Sequence, residues 1–116
     1  MGFDLYAVSP NTEQEKHRYF RANVWYWRPL WEFVICICQD ELSKEIIEGG
    51  HYNEGILINK DTAIMIGNKI KRDLKNNKFD RFKEVYKEVY GSPQCDKKLT
   101  EEFADFCLNS GGFKIW

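Results

Sequence analysis

Two histidines, four cysteines and a dense run of aromatic and arginine residues are the groups from which any chemistry of this 116-residue chain must be built. Cys36 and Cys38 are one residue apart, short of the roughly two-to-four-residue gap of a zinc knuckle. On a helix, residues two apart point about 200° away from each other and do not converge on one ion. Cys95 and Cys107 each stand alone. The expectation is four free thiols, Cys38 and Cys107 packing as small hydrophobes, with no metal or other cofactor. His51 lies in the segment Gly49-Gly50-His51-Tyr52-Asn53-Glu54-Gly55. Loops display catalytic groups, and an imidazole titrates near neutrality. Glu54 or Asp40 would orient it, and Cys36 or Cys95 would serve as nucleophile. The spacing selects no such pair, and a ring bonded to loop backbone explains His51 as well. His17 is expected to be an exposed polar residue. No phosphate loop, dinucleotide fingerprint, paired-histidine zinc motif or nucleophile elbow occurs.

The densest cluster is YFRANVWYWRPLW, Tyr19 to Trp31, which holds all but one of the four tryptophans. Tryptophan, tyrosine and arginine anchor protein interfaces, and they are also what a small domain buries. Trp27 and Trp31 are four apart and share a face of a helix. Trp25, two before Trp27, shares its side in an extended chain. Arg21 or Arg28 would stack on such a ring or bond a helix C-terminus. The binding candidates are therefore Arg21, Asn23, Trp25, Trp27 and Arg28, joined by His51, Tyr52 and Asn53 from the glycine-bounded loop.

The formal charge of -1 argues against a polyanion binder by bulk electrostatics. The charges are nevertheless uneven. From Glu32 to Glu54 six acids face Lys44 alone, a balance of -5, and from Lys69 to Glu88 eight bases face four acids, a balance of +4. An acidic side and a basic side are expected. Lys71, Lys75, Lys78 and Arg81 are the candidates for phosphate contact. A solvated helix face is the leading reading of the same residues and a site for an acidic protein another alternative, with Asp73, Asp80, Glu84 and Glu88 diluting the field.

The elements that must position these groups follow from hydrophobic periodicity. Phe3, Leu5 and Ala7 alternate with Asp4, Tyr6 and Val8, which predicts a strand ended by Ser9-Pro10-Asn11. Residues 11 to 21 read as a loop or a short helical turn. Pro29 suits the first turn of a helix, and the stripe Leu30, Phe33, Val34, Ile37, Cys38, Leu42 predicts one long helix over 29 to about 47, stopped by Gly49-Gly50. Ile56 to Ile58 is a strand or packed irregular chain. Asn59 caps the next helix, with Asp61 in its first turn and Ala63, Ile66, Gly67, Ile70 and Leu74 on its buried face. A further helix over about 79 to 90 buries Phe79, Phe82, Val85, Tyr86 and Val89 and stops at Gly91. Gly91-Ser92-Pro93 opens a loop. Thr100 caps the last helix, with Glu101 and Glu102 in its first turn and Phe103, Phe106 and Cys107 facing the core. Gly111-Gly112 end it, and Phe113 and Ile115 begin a closing strand. The sum is a single α+β domain over 1-116, helix-dominated, with about four helices and a short ribbon pairing the N- and C-terminal strands. No apolar leader precedes Asp4, and the longest uncharged apolar run, Phe33 to Cys38, is too short to span a bilayer, so no membrane partner and a cytoplasmic location are expected.

The opening MGFDLYAVSP, the block YFRANVWYWRPLWEF, the loop GHYNEG and the ending EEFADFCLNSGGFKIW together resemble a family of small phage and bacterial proteins without an assigned activity. The likeness touches most of the chain, in the same order. Many such relatives carry a cysteine-rich, zinc-ribbon-like insertion before the final helix, whereas this chain has only Cys95 between Gly91 and Lys98. The resemblance implies Arg21, Asn23, Trp25, Trp27, Arg28, Pro29, His51, Asn53 and Gly55 as family-like positions. It also implies a phage or mobile-element setting inside a bacterial host cell, where small acidic proteins bind and block host factors, defence-system components among them. The leading expectation is a non-enzymatic module that binds a host protein, the oligomeric state being open to a homodimer. The alternatives are a nucleic-acid or nucleotide binder using the basic helices 69-88 and a small hydrolase centred on His51.

Overall fold

The computed structural model describes residues 2-91 and 94-116. Four strands form one antiparallel sheet in the order β2-β1-β4-β3, where β1 is Gly2–Ala7, β2 Tyr19–Asn23, β3 Ile56–Ile58 and β4 Phe113–Ile115. Among the described residues there are also five α-helices, α1 Val24–Cys38, α2 Lys44–Gly49, α3 Lys60–Lys75, α4 Lys78–Tyr90 and α5 Lys97–Asn109, and one short 3-10 turn, Glu15–His17. The fold is thus a small helix-dominated α+β domain with its terminal strands paired, as the periodicity predicts. Leu5 lies opposite Ile115 and Ala7 opposite Phe113.

The terminal strands do not stand as a lone ribbon. β1 also pairs with β2, Phe3 opposite Ala22 and Leu5 opposite Phe20, and β4 also pairs with β3. The segment expected as a loop or a short helical turn up to Arg21 has such a turn over Glu15–His17 and then passes into strand. Its alternation, Phe20 and Ala22 buried against exposed Arg21 and Asn23, has the period of two that a half-buried strand requires. The helices pack on the face carrying Phe3, Leu5, Phe20, Ala22, Phe113 and Ile115, all buried.

The helix expected over 29-47 divides in two and starts earlier. Asn23 caps α1, its side chain accepting from the Trp25 and Tyr26 amides at 3.1 and 3.2 Å. Pro29 consequently sits inside α1, where it removes one intrahelical bond. Burial of Trp27, Leu30, Trp31, Phe33 and Val34 along that helix outweighs the loss. The polar residues Gln39 to Glu41 end the run, and Ser43 caps a fresh helix by accepting from the Ile46 amide. Trp27 and Trp31 stack on each other, centroids 5.6 Å apart, and their indole N–H groups donate to the carbonyls of Gly50 and Ile47 at 2.7 and 3.0 Å. Two carbonyls that α2 leaves unbonded at its C-terminal end are satisfied this way, and α2 is thereby tied to α1. No arginine does that work.

Asn59 caps α3 as expected, accepting from the Thr62 amide at 2.9 Å. α3 lies along α5, the most extensive helix pair in the fold. Gly67 makes the approach possible: a Cβ there would stand 2.7 Å from Leu108 Cγ and 2.9 Å from the Ala104 carbonyl oxygen. The cap of α5 is Asp96, not Thr100. Asp96 accepts from the Leu99 amide, while Thr100 is buried inside the first turn and bonds the Asp96 carbonyl at 2.7 Å. Glu101 and Glu102 therefore fall beyond the first turn. α4 ends at Gly91 in the left-handed conformation, but of its expected stripe only Phe79 is buried. Val85 and Val89 are exposed, because α4 lies at the margin with no layer outside it. The Ser92-Pro93 part of the expected loop lies outside the described residues.

Candidate functional site

Helices cover only one face of the sheet, so every second residue of each strand points into solvent. Register and alternation place Tyr19, Tyr6, Lys114 and Leu57 in one row across that open face, with Arg21, Asp4 and Trp116 in the next. Tyr6, Leu57 and Trp116 are each about half exposed, at 50%, 50% and 48%. The Tyr6 and Tyr19 rings pack together with centroids 5.2 Å apart.

A polar cluster fixes the middle of this face. Asp4 accepts from the Tyr19 hydroxyl at 2.5 Å and from Arg21 Nη1 at 2.6 Å. The Tyr19 hydrogen bond, and then the Arg21 guanidinium, hold the Asp4 carboxyl below its ordinary value. The same carboxylate pushes the Tyr19 phenol up and strengthens the Arg21 charge. Arg21 reaches over β1, so close that a Cβ on Gly2 would meet its Nη2 at 2.7 Å. A planar cation and three aromatic rings are thus displayed together on a rigid support.

The sequence-derived candidates divide among three places. Arg21 is on the open face. Asn23 borders it but spends its side-chain oxygen capping α1. Trp25 and Trp27 do not share a side, because the chain there is helical and residues two apart diverge. Trp25 is 66% exposed, whereas Trp27 is wholly buried between Phe3, Trp31 and Phe103. Arg28 is exposed on α1. Tyr52 is exposed, and Asn53 reaches the Gly2 carbonyl at 3.5 Å beside the sheet.

His51 faces neither Glu54 nor Asp40. Its Nε2 lies 3.9 Å from Glu32 Oε1 on α1. Burial raises the Cys38 thiol to about 12 and pushes Cys95 and Cys107 up, which disfavours the nucleophilic thiolate at Cys95. Cys36 is exposed.

Of the basic set, Lys71 lines a groove of about 690 Å³ between β2 and α5, together with Lys16, Arg21 and Lys98. Lys75, Lys78 and Arg81 are exposed around the α3–α4 turn and do not line it. The acidic and basic segments also meet each other, through an ion pair of Lys69 with Glu41. Within the basic segment Asp73 is buried, bonded by Arg72 through Nε and Nη2 at 2.9 Å each and by Asn76.

His17, expected to be an exposed polar residue, is not exposed. It is buried, with Nδ1 2.7 Å from the Thr12 hydroxyl and Nε2 2.7 Å from Asp105 Oδ2. A lone histidine in a polar segment carries no local mark of that burial, since its partner is on α5, 88 positions away. Tyr6 and Trp116 are also missing from the candidates. The alternation of both terminal strands held the signal, because the residues out of phase with Leu5 and Ile115 had to face outward. Compared with family models, curated proteins and solved structures the chain matches none, and the roles of these residues are argued from geometry alone.

Proposed function

We propose that the chain is a non-enzymatic binding module, phage- or mobile-element-borne, that binds and modulates a protein of the bacterial host cell through the open face of its sheet. One observation carries the reading: Tyr6, Trp116 and Leu57 stand half exposed on the open face of the sheet, which ends at its β2 edge in an arginine already oriented by Asp4. Aromatic side chains and a pre-positioned guanidinium lose little freedom on docking, and they are the residue types that dominate binding energy at protein interfaces. Trp25 and Asn53 extend the surface at its margin.

Affinity capture of the tagged protein from host lysate tests it, alongside a Tyr6→Ala/Trp116→Ala variant. We expect one stoichiometric host protein, with retention reduced about 30-fold or more by the double substitution, corresponding to about 2 kcal/mol for an interface anchor. Nothing retained, or equal retention by the folded variant, overturns the reading.

A second reading is nucleic-acid binding through Lys71, Lys75, Lys78 and Arg81. Of these only Lys71 lines the groove, beside Lys16 and Lys98, and that grouping of cations favours a phosphate contact there. It requires binding of a single-stranded oligonucleotide that weakens steeply with salt; no binding at low salt removes it.

A further inference from the structure

We propose that the groove between β2 and α5 binds an extended peptide segment of a partner protein, which adds to the sheet as a fifth strand beside β2. The proposal rests on the reading that this chain acts by protein contact, but it concerns the β2 edge and the groove beside it, which share Tyr19 and Arg21 with the open sheet face and include none of Tyr6, Leu57 and Trp116.

β2 is an outer strand of the sheet. The Ala7 amide donates to the Arg18 carbonyl at 2.9 Å, which sets the phase of the β1–β2 ladder. In an antiparallel pair the bonded positions alternate, so Leu5 with Phe20 and Phe3 with Ala22 exchange the ladder bonds. The N–H and C=O of Tyr19 and Arg21 then point away from β1, and no described residue bonds them. That row of donors and acceptors is the complement of an extended main chain and of little else.

The groove beside this edge has a defined floor and rim. Phe20 and Leu99 supply apolar surface, and Lys16, Lys71 and Lys98 line the groove together with Glu101, Glu102 and Asp105, the last 3.8 Å from Lys16. A second, smaller depression lined by Ala22, Asn23, Tyr26 and Asp96 shares Arg21 and Leu99 with the first and continues it toward α1. Five residues of β2 at about 3.3 Å each give a strand roughly 17 Å long, so the edge offers pairing to a segment of about that length. The glutamates on the rim oppose a phosphate backbone, while charges of both signs suit a peptide of mixed charge with an apolar residue seated over Phe20 and Leu99. Self-pairing of two β2 edges would set Arg21 against Arg21 at the centre and bring two copies of α5 together. A single extended segment meets neither obstacle.

The test selects linear peptides from a displayed random library on the intact protein, then follows amide hydrogen exchange in the complex. The expected result is an enriched peptide that slows exchange at the Tyr19 and Arg21 amides. N-methylation of its alternate residues should weaken binding at least tenfold for one alternation set and little for the other. Arg21→Pro, which removes an outward N–H and keeps the main-chain bonds to β1, should weaken binding at least tenfold relative to Arg21→Ala, which loses the same guanidinium contact to Asp4 but keeps that N–H. If that variant fails to fold, the N-methyl series on the unaltered protein decides the matter. No enriched peptide, free exchange at Tyr19 and Arg21 in the complex, or equal effect of both N-methyl sets overturns the proposal. A single-stranded oligonucleotide that displaces the peptide and itself protects these amides would assign the groove to nucleic acid and overturn it likewise. Peptide binding that survives Tyr6→Ala/Trp116→Ala, with host capture lost, separates this groove from the open face.

Discussion

His17 holds the segment before β2 onto α5, with one ring nitrogen against Thr12 and the other against Asp105. Thr12 is itself committed, its hydroxyl accepting from the Gln14 amide at 3.2 Å. The arrangement of hydroxyl, imidazole and carboxylate is thus a brace across chain segments far apart in sequence. His17→Ala removes both side-chain bonds and leaves a gap in a buried position. We expect a loss of about 1–3 kcal/mol in a urea titration. A change within about 0.5 kcal/mol of the parent would mean the brace carries no net stability. Trp27 makes the same point for a large residue. Its type suited an interface, but its indole N–H is paired to Gly50 in the core, and of the three tryptophans between Tyr19 and Trp31 Trp25 alone is left outside.

At the scale of elements, the contact of α3 with α5 decides how tightly the helices sit beneath the sheet. In an exposed helix, replacing glycine by alanine stabilises by up to about 1 kcal/mol through backbone entropy. Gly67 reverses that sign. The added methyl group meets the Ala104 carbonyl at 2.9 Å, and a backbone oxygen cannot swing away as Leu108 can. Gly67→Ala should destabilise by about 1–3 kcal/mol, read as a lowered thermal midpoint, and a raised midpoint would show that the helices separate freely. Helices whose limits depend on local signals were legible in the sequence: Asn59 capping α3 and Gly91 closing α4. α1 was not, because Pro29 resembled a start while the cap lay at Asn23, and only the packing of Trp27 and Trp31 explains why the helix runs through the proline.

For the molecule as a whole, two carboxylates tie stability to pH. Hydrogen bonds from Tyr19 and Arg21 lower Asp4, and those from Arg72, followed by Asn76, lower Asp73. A lowered native value means the unfolded chain takes up protons first as pH falls. The stabilisation is therefore complete above the ordinary carboxylate value of 3.8 and is lost as pH drops through the lowered native values. Urea midpoints should fall steeply below about pH 4, and Asp73→Asn should flatten that fall while lowering the midpoint at neutral pH. An unchanged acid slope in the variant would remove Asp73 from the account.

The sequence by itself determined the class of the fold, the pairing of its terminal strands and most helix positions, because periodicity, caps and glycine stops act over a few neighbouring residues. It did not determine which polar and aromatic groups would be buried. The sheet order, the open face of Tyr6 and Trp116, the free edge of β2 and the enclosure of His17 depend on segments distant in the chain arriving side by side. Burial and hydrogen bonding are properties of those neighbours and not of the residue, so only the tertiary structure decided them.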